Sequence, residues 1–186
     1  MSALSLADHV IVFDGALSQA HCQTLIDRFE ASAEQEPCAR EHGHSFVQLD
    51  ITRHWPDEHN VLVPCFLSSF NRYQVATNAC FWPPKFCFEH LRMKRYLPNG
   101  RDSFPTHVDV MCHDAARRFM TAIVYLNETD GGETVFPSLD MRISPEPGKL
   151  LAFPPLWLFP HSGQPTRSKP KYILHTYLCY PNTEPA

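Results

Sequence analysis

The second half of the chain is cut into short apolar runs by proline and glycine, and this punctuation limits the folds open to it. Pro98-Asn99-Gly100, Asp130-Gly131-Gly132 and Pro145-Glu146-Pro147-Gly148 are strong turn signals, and Trp82-Pro83-Pro84 stops any helix that precedes it. Seventeen prolines in 186 residues argue against a helix bundle, since a proline inside a helix removes a hydrogen bond and clashes with the preceding turn. Between the breaks, the sequence predicts strands over 86–97, 105–112, 118–126, 132–136, 148–153, 156–162 and 170–180.

The first half has a different character. HVIVF at 9–13 predicts a short strand ended by Asp14-Gly15. After it, Leu17, Cys22, Leu25, Ile26 and Phe29 recur at helical spacing behind Ser18, a residue suited to cap a helix N-terminus. The stretch 31–57 is polar and irregular and reads mainly as loop. A second helix is expected within 58–80, with Pro64 near its first turn or kinking it. Helices followed by about seven short strands indicate an α+β fold whose main body is a double-sheet jelly roll. The economical organisation is one domain over 1–186, with helical support at about 1–85 and a jelly-roll core at about 86–181.

Composition narrows the function classes. A formal net charge of −4 gives no general electrostatic reason to bind nucleic acid or a membrane surface, although Arg117–Arg118 and the 167–171 region leave a local basic groove open. No apolar run approaches the roughly 18 residues of a membrane span. The N-terminus lacks a basic segment leading into an uninterrupted apolar one, so no signal peptide is read and a cytoplasmic location is expected. Seven cysteines, an odd number with no CxxC pair, fit free thiols in a reducing compartment.

Chemistry enters at PTHVDV, residues 105–110. In a strand, positions i and i+2 face the same way, so His107 and Asp109 would stand side by side. Such a pair is a surface accident, an acid/base couple or two-thirds of a metal site, and only a third partner decides. His161, in LWLFPHSGQP, has the best setting for one, because an apolar strand there reaches a polar turn. The chain between Asp109 and His161 is long enough for several jelly-roll strands to bring it back. His107, Asp109 and His161 would then form a 2-His-1-carboxylate triad, which suits Fe(II) and leaves coordination positions open. His42, His44, His54 and His59, with Cys38, fit no compact zinc spacing.

The order of features around the triad carries a resemblance. RYLPNGRDSFPTHVD is followed by RRFMTAIVYLNETDGGETVFP, then SPEPGKLLAFP, then HSGQPTRSKPKYILHTYL. This run, roughly 90–180, resembles the prolyl 4-hydroxylase-like branch of the Fe(II)/2-oxoglutarate-dependent dioxygenases, and FDGALSQAHCQTLIDRFE looks like that branch's N-terminal support helix. The resemblance implies a double-stranded β-helix with iron at one open end, held by His107, Asp109 and His161. It also implies 2-oxoglutarate and O2 as cosubstrates, with ascorbate as an auxiliary reductant. Lys171 stands where the branch places the basic residue for the cosubstrate's distal carboxylate, with Arg167 and Lys169 as competitors of the same strand parity. Tyr96 matches a tyrosine that contacts the same carboxylate, and Thr134 would add a hydroxyl. Gly131 and Gly132 read as a tight turn, and Asn127 and Glu128 as a strand-end cap. His175 and Tyr177 share parity with Lys171 and are expected to face the barrel interior; Arg117 or Arg118 is a candidate substrate contact at the rim.

The reaction implied is hydroxylation of a C–H bond with release of succinate and CO2, and the carboxylate of Asp109 favours it over halogenation. The substrate is a small molecule or a protein or peptide, and no motif names it; the oligomeric state has no sequence signal. Two other classes share the fold: a cupin-like metal-dependent hydrolase or isomerase, which would not need Lys171, and a non-catalytic jelly-roll binding protein.

Overall fold

Alternation along one strand organises the molecule. In the computed structural model, which describes residues 5–39 and 45–181, the chain forms β1 (Ile11–Phe13), α1 (Gln19–Glu30), β2 (Glu36–Ala39), β3 (Ser45–Asp50), α2 (Ile51–His54) and α3 (Pro56–Ala76). Then come β4 (Cys87–Phe88), β5 (Arg92–Tyr96), β6 (Phe104–His107), β7 (Arg118–Tyr125), β8 (Thr134–Phe136) and β9 (Met141–Ile143). The last three are β10 (Leu150–Phe153), β11 (His161–Gly163) and β12 (Lys171–Cys179). All nine residues of β12 are buried. It is hydrogen-bonded to β7 on one side and to β5 and β4 on the other.

These strands belong to an eight-stranded sheet ordered β1-β10-β7-β12-β5-β3-β2, with β4 also on β12. A four-stranded sheet, β6-β11-β8-β9, completes the jelly roll. Tyr172, Leu174 and Leu178 on one face of β12 join a core that includes Cys22, Leu25 and Phe29 of α1 and Leu62, Phe66, Phe70 and Tyr73 of α3. The opposite face carries Lys171, Ile173, His175 and Tyr177, all of which line the pocket that holds the candidate site. A second core around Tyr125, Phe136, Phe153 and Ile173 includes the edge-on ring pair Phe136–Phe153, with centroids 4.8 Å apart.

The support helix begins as the sequence indicates: Ser18 Oγ accepts from the His21 amide at 3.1 Å. Elsewhere the boundaries differ. Residues 31–57 contain β2, β3 and α2 rather than loop alone. Phe46 and Leu49 are the buried residues of β3, too sparse a signal to stand out beside polar neighbours, and pairing with β5 supplies the ladder. The long helix starts at Pro56, in its first turn, so Pro64 lies inside it and not near its start. The expected strand 86–97 is two strands, β4 and β5, and the short β9 after the Phe136 turn was not expected. The apolar segment before His161 is turn and coil; only His161–Gly163 is strand.

Gly148 joins the two halves. Its φ is +77°, and a Cβ added there would lie 2.0 Å from the Leu17 carbonyl oxygen, just before α1. Its own carbonyl accepts from the Ala16 amide at 2.8 Å. Gly100 also has positive φ, +71°, but nothing lies within 4 Å of the added Cβ. Gly100→Ala is therefore expected to lose about 1 kcal/mol through backbone strain alone, and Gly148→Ala about 2 kcal/mol or more. Urea denaturation measures both; equal losses would remove the steric part of this argument.

Candidate metal centre

β6 and β11 pair antiparallel with His107 opposite His161, so the last residue of one strand faces the first of the other. Their ring centroids are 4.3 Å apart. The two imidazoles are aimed by the same device. Nδ1–H of His107 donates to the Pro105 carbonyl at 2.8 Å, and Nδ1–H of His161 to the Phe159 carbonyl at 3.0 Å. A carbonyl can only accept, so the proton sits on Nδ1 and each Nε2 keeps a lone pair directed inward.

Asp109 lies beyond the end of β6, in a bend, where a continuous strand over 105–112 was expected. The chain leaves the sheet after His107, and the Val110 amide bonds to the Pro155 carbonyl at 3.2 Å. The carboxylate nevertheless turns back between the imidazoles: Oδ1 is 3.4 Å from His107 Nε2 and Oδ2 is 3.7 Å from His161 Nε2. The three ligand atoms lie within 4.8 Å of one another, the one convergent group of three such residues among those described.

A cation fits this arrangement. Oδ1 accepts from the Tyr177 hydroxyl at 2.7 Å, whereas Oδ2 is buried and accepts no hydrogen bond among the described residues. An ionised oxygen buried in this way is costly unless something positive meets it. Two neutral imidazoles and one carboxylate are a donor set suited to Fe(II). Burial opposes ionisation of Asp109, but His107 and the neighbouring His161 and His175 outweigh it and hold the carboxyl well below the usual range. Burial pushes His161 down to about 4, against the pull of Asp109, and drives His175 well below its ordinary value, with Lys94 adding to the effect.

Arg118 steadies the Asp109 backbone from behind. It is not at a solvated rim: it pairs with both oxygens of Glu89 at 2.6 and 2.7 Å. Its guanidinium lies 4.1 Å from the centre of the Tyr177 ring, and Nη1 donates to the Asp109 carbonyl at 3.4 Å.

The same pocket extends between the sheets to Lys171, which is 3% exposed. Its Nζ donates to the Gly132 carbonyl at 2.9 Å and sits 4.6 Å over the Tyr96 ring. Burial lowers its pKa to about 8; Glu133 acts in the opposite sense and Lys94 adds to the lowering. Of its competitors, Lys169 is exposed, and Arg167, also exposed, pairs with Asp130 at 2.9 Å. Tyr96 lines the pocket as a buried phenol. Thr134 lines it too, its Oγ1 accepting from Tyr125 at 2.6 Å. Gly132 serves both a turn and a close approach: its φ is +78° and an added Cβ would lie 3.0 Å from Lys171 Cδ. Asn127 clips strand ends together, its Oδ1 accepting from the Tyr172 amide at 2.9 Å.

Sequence reasoning missed Tyr125 and Lys94, both of which line the pocket. Lys94 could have been found, because it shares strand parity with Tyr96, as His175 does with Lys171. Of the residues weighed for zinc, His42 and His44 lie outside the described residues, and His54 is 3.3 Å from Glu34. All seven cysteines are free thiols. No helix among the described residues is long and apolar enough to cross a membrane.

Fold and site together define a jelly-roll protein with a convergent His-Asp-His group at one end and a buried lysine deeper in the same pocket. Residues 91–179 match the family model described as the 2OG-Fe(II) oxygenase superfamily. The chain is 32% identical over 109 residues to a protein of Acanthamoeba polyphaga mimivirus named "Putative prolyl 4-hydroxylase", the match covering 48% of this chain and 44% of that protein. It thus spans less than half the length of that curated relative. Among solved structures, a Pseudomonas putida prolyl-4-hydroxylase superposes with a TM-score of 0.73 at 21% identity, covering 95% of each chain. The viral collagen prolyl hydroxylase of Paramecium bursaria Chlorella virus-1, solved as a 2-oxoglutarate complex, gives 0.67 at 23% identity over 94% of this chain and 97% of that one. A Trichoplax adhaerens prolyl hydroxylase, solved with a peptide fragment of the hypoxia inducible factor oxygen degradation domain, gives 0.72 at 15% identity, covering 92% and 84%. At these identities the solved structures speak for the fold. Over residues 91–179 the chain is thus similar to the 2OG-Fe(II) oxygenase superfamily, and the relatives above carry prolyl hydroxylase names.

The buried imidazoles give the metal-free protein a defined pH response. An unfolded His161 takes up a proton near its ordinary pKa of 6.5, whereas the folded one resists until about 4. Between those values the unfolded state binds more protons, so stability falls as pH falls, and His175 adds in the same direction. Asp109 contributes no slope in this window, because it is ionised in both states; its stabilising share is lost only at lower pH. The expected loss from His161 between pH 6.5 and 4.5 is on the order of 2 kcal/mol. Urea denaturation of chelator-treated protein across that range checks it, and His161→Phe should flatten the profile.

Proposed function

We propose that this protein is an Fe(II)- and 2-oxoglutarate-dependent hydroxylase acting on a prolyl or similar side chain of a protein or peptide, with release of succinate and CO2. The observation that carries this reading is the pairing of two features in one pocket. A buried Asp109 oxygen without a hydrogen bond faces two inward imidazole nitrogens, and a buried lysine stands further along the same cavity. A hydrolase or isomerase on this fold would use the triad but would gain nothing from an ammonium held between the sheets.

His107, Asp109 and His161 would hold Fe(II) on one face and leave the opposite positions open. When bound, the iron and its 2-oxo acid supply the oxidising chemistry, which no side chain here can provide. The chain's own contribution is placement. Tyr177 fixes the Asp109 carboxylate, Arg118 holds the Asp109 backbone, the Pro105 and Phe159 carbonyls fix the imidazoles, and Lys171 would take the distal carboxylate of the cosubstrate. Tyr96 walls that end, and Tyr125 with Thr134 offers a hydroxyl pair beside it. The apolar walls from Phe104, Ile123 and Ile173 exclude water around the reacting groups.

A peptide substrate fits the rim. Met111 and Trp157 are 77% and 74% exposed, and they follow the metal ligand Asp109 and precede His161, respectively. The Val110–Pro155 hydrogen bond ties the two loops together, and exposed apolar side chains of this kind mark a docking surface. Relatives named for prolyl hydroxylation make proline the first side chain to test.

Anaerobic Fe(II) and 2-oxoglutarate should give a weak charge-transfer absorbance in wild type. In air, His107→Ala and Asp109→Ala should reduce succinate release by at least about a thousandfold, the scale of losing a whole catalytic unit. Undiminished turnover in either would refute the triad. Proline-containing peptides should gain one oxygen by mass spectrometry, and the matched peptides with proline replaced should not. Trp157→Ala should raise KM for an active peptide about tenfold, the loss of one buried aromatic anchor, without changing 2-oxoglutarate affinity. An unchanged peptide KM would move the docking surface elsewhere.

A further inference from the structure

Lys94 lies in the pocket with the triad and Lys171, and the reading above gives it no task. Its position follows from register. Tyr96 pairs with Lys171 and Lys94 with Ile173, so Lys94 stands one same-face step, about 7 Å, along the sheet from the Lys171 end. That step runs toward Tyr177, whose hydroxyl meets Asp109.

The ammonium is aimed in part by an imidazole. Nζ donates to Nδ1 of His175 at 3.1 Å, and the His175 Nε2–H donates to Thr121 Oγ1 at 3.2 Å. Burial and Lys94 itself keep His175 unprotonated, so the imidazole accepts from the lysine. The rings of Phe46 and Phe104 lie 5.0 and 5.8 Å from Nζ, and Phe104 in turn packs 4.0 Å from the His107 ring. Lys94 is therefore built in between the deep cation and the metal ligands.

We infer that Lys94 is a second carboxylate-binding residue, contacting the metal-side carboxylate of the bound 2-oxo acid while Lys171 contacts the distal one. The inference rests on the cosubstrate reading under Proposed function. Two lysines one strand step apart on neighbouring strands would reach the two ends of a five-carbon diacid, and each end gains a charge-assisted hydrogen bond. A consequence separates the two lysines: a 2-oxo acid lacking the distal carboxylate loses its use for Lys171 but keeps its use for Lys94.

The test is a titration of anaerobic, Fe(II)-loaded protein with 2-oxoglutarate and with 2-oxobutanoate, followed by the charge-transfer absorbance and by tryptophan fluorescence. Lys94→Met and Lys94→Gln should each weaken both acids about tenfold or more, the scale of one hydrogen bond to a charged group. Lys171→Met should weaken 2-oxoglutarate by a similar factor and leave 2-oxobutanoate within about twofold. Lys94→Arg should restore part of the affinity. Fe(II) affinity without any 2-oxo acid serves as the control for a structural effect, and Lys94→Gln keeps a donor toward His175 if the methionine variant fails to fold. Lys94 variants that bind either acid within twofold of wild type would overturn this assignment alone. A wild type that binds neither acid would overturn the cosubstrate reading and this inference with it.

Discussion

The side-chain alternation of β12 is the constraint from which both core and site follow. The strand lies between β7 and β5 and has no exposed residue, so each of its faces must be filled. Tyr172, Leu174 and Leu178 fill one face against the helices, in the manner of any packed sheet. The other face is mixed: Ile173 supplies apolar wall while Lys171, His175 and Tyr177 supply polar groups. A slip of one residue would send the polar set into the helix-covered core and leave the pocket without its cation. Two flanking ladders hold that register, and Asn127 closes the end where β12 begins.

The smaller sheet contributes precision at the other end. His107 and His161 are neighbours because β6 and β11 pair, and they point inward because each ring is tied to the carbonyl two residues before it. That tie is local, so the orientation of each imidazole does not depend on distant packing. Asp109 is different. It sits past the strand end, and its position depends on Tyr177 from β12 and Arg118 from β7. The triad is thus assembled across both sheets, and its geometry reports whether they are correctly closed on one another.

What could be read from sequence follows the range of the interactions involved. The α1 helix was legible because its cap and its apolar stripe lie within twelve residues. The residues of the triad were legible as types and as an order of motifs, although the strand argument that suggested them was partly wrong: Asp109 is held by tertiary hydrogen bonds, not by strand parity. The strands β2 and β3 were illegible, since four of six residues in SFVQLD are only partly buried and the pairing partner lies some forty residues on. Arg118 read as a candidate substrate contact at the rim for a similar reason. Its partners Glu89 and Tyr177 are 29 and 59 positions away in a chain of 186 residues, and nothing local announces them.

The polar interior also explains why the pocket must be held by so much scaffold. Lys94, Thr121, Thr134, His161, Lys171 and His175 are all buried, and burying such groups costs free energy unless each finds a hydrogen bond. Here the bonds are made largely to neutral acceptors. Lys171 donates to a backbone carbonyl, Lys94 to an imidazole, and the Tyr125 phenol to the Thr134 hydroxyl. A carboxylate in those roles would stabilise the empty fold better, but it would also compete with an incoming anion for the same ammonium. A neutral carbonyl holds Lys171 in place and leaves its charge available. The same logic applies to Asp109, where one oxygen is fixed by Tyr177 and the other is left for a cation. Such buried polarity costs the fold stability that a bound cation and anion would restore.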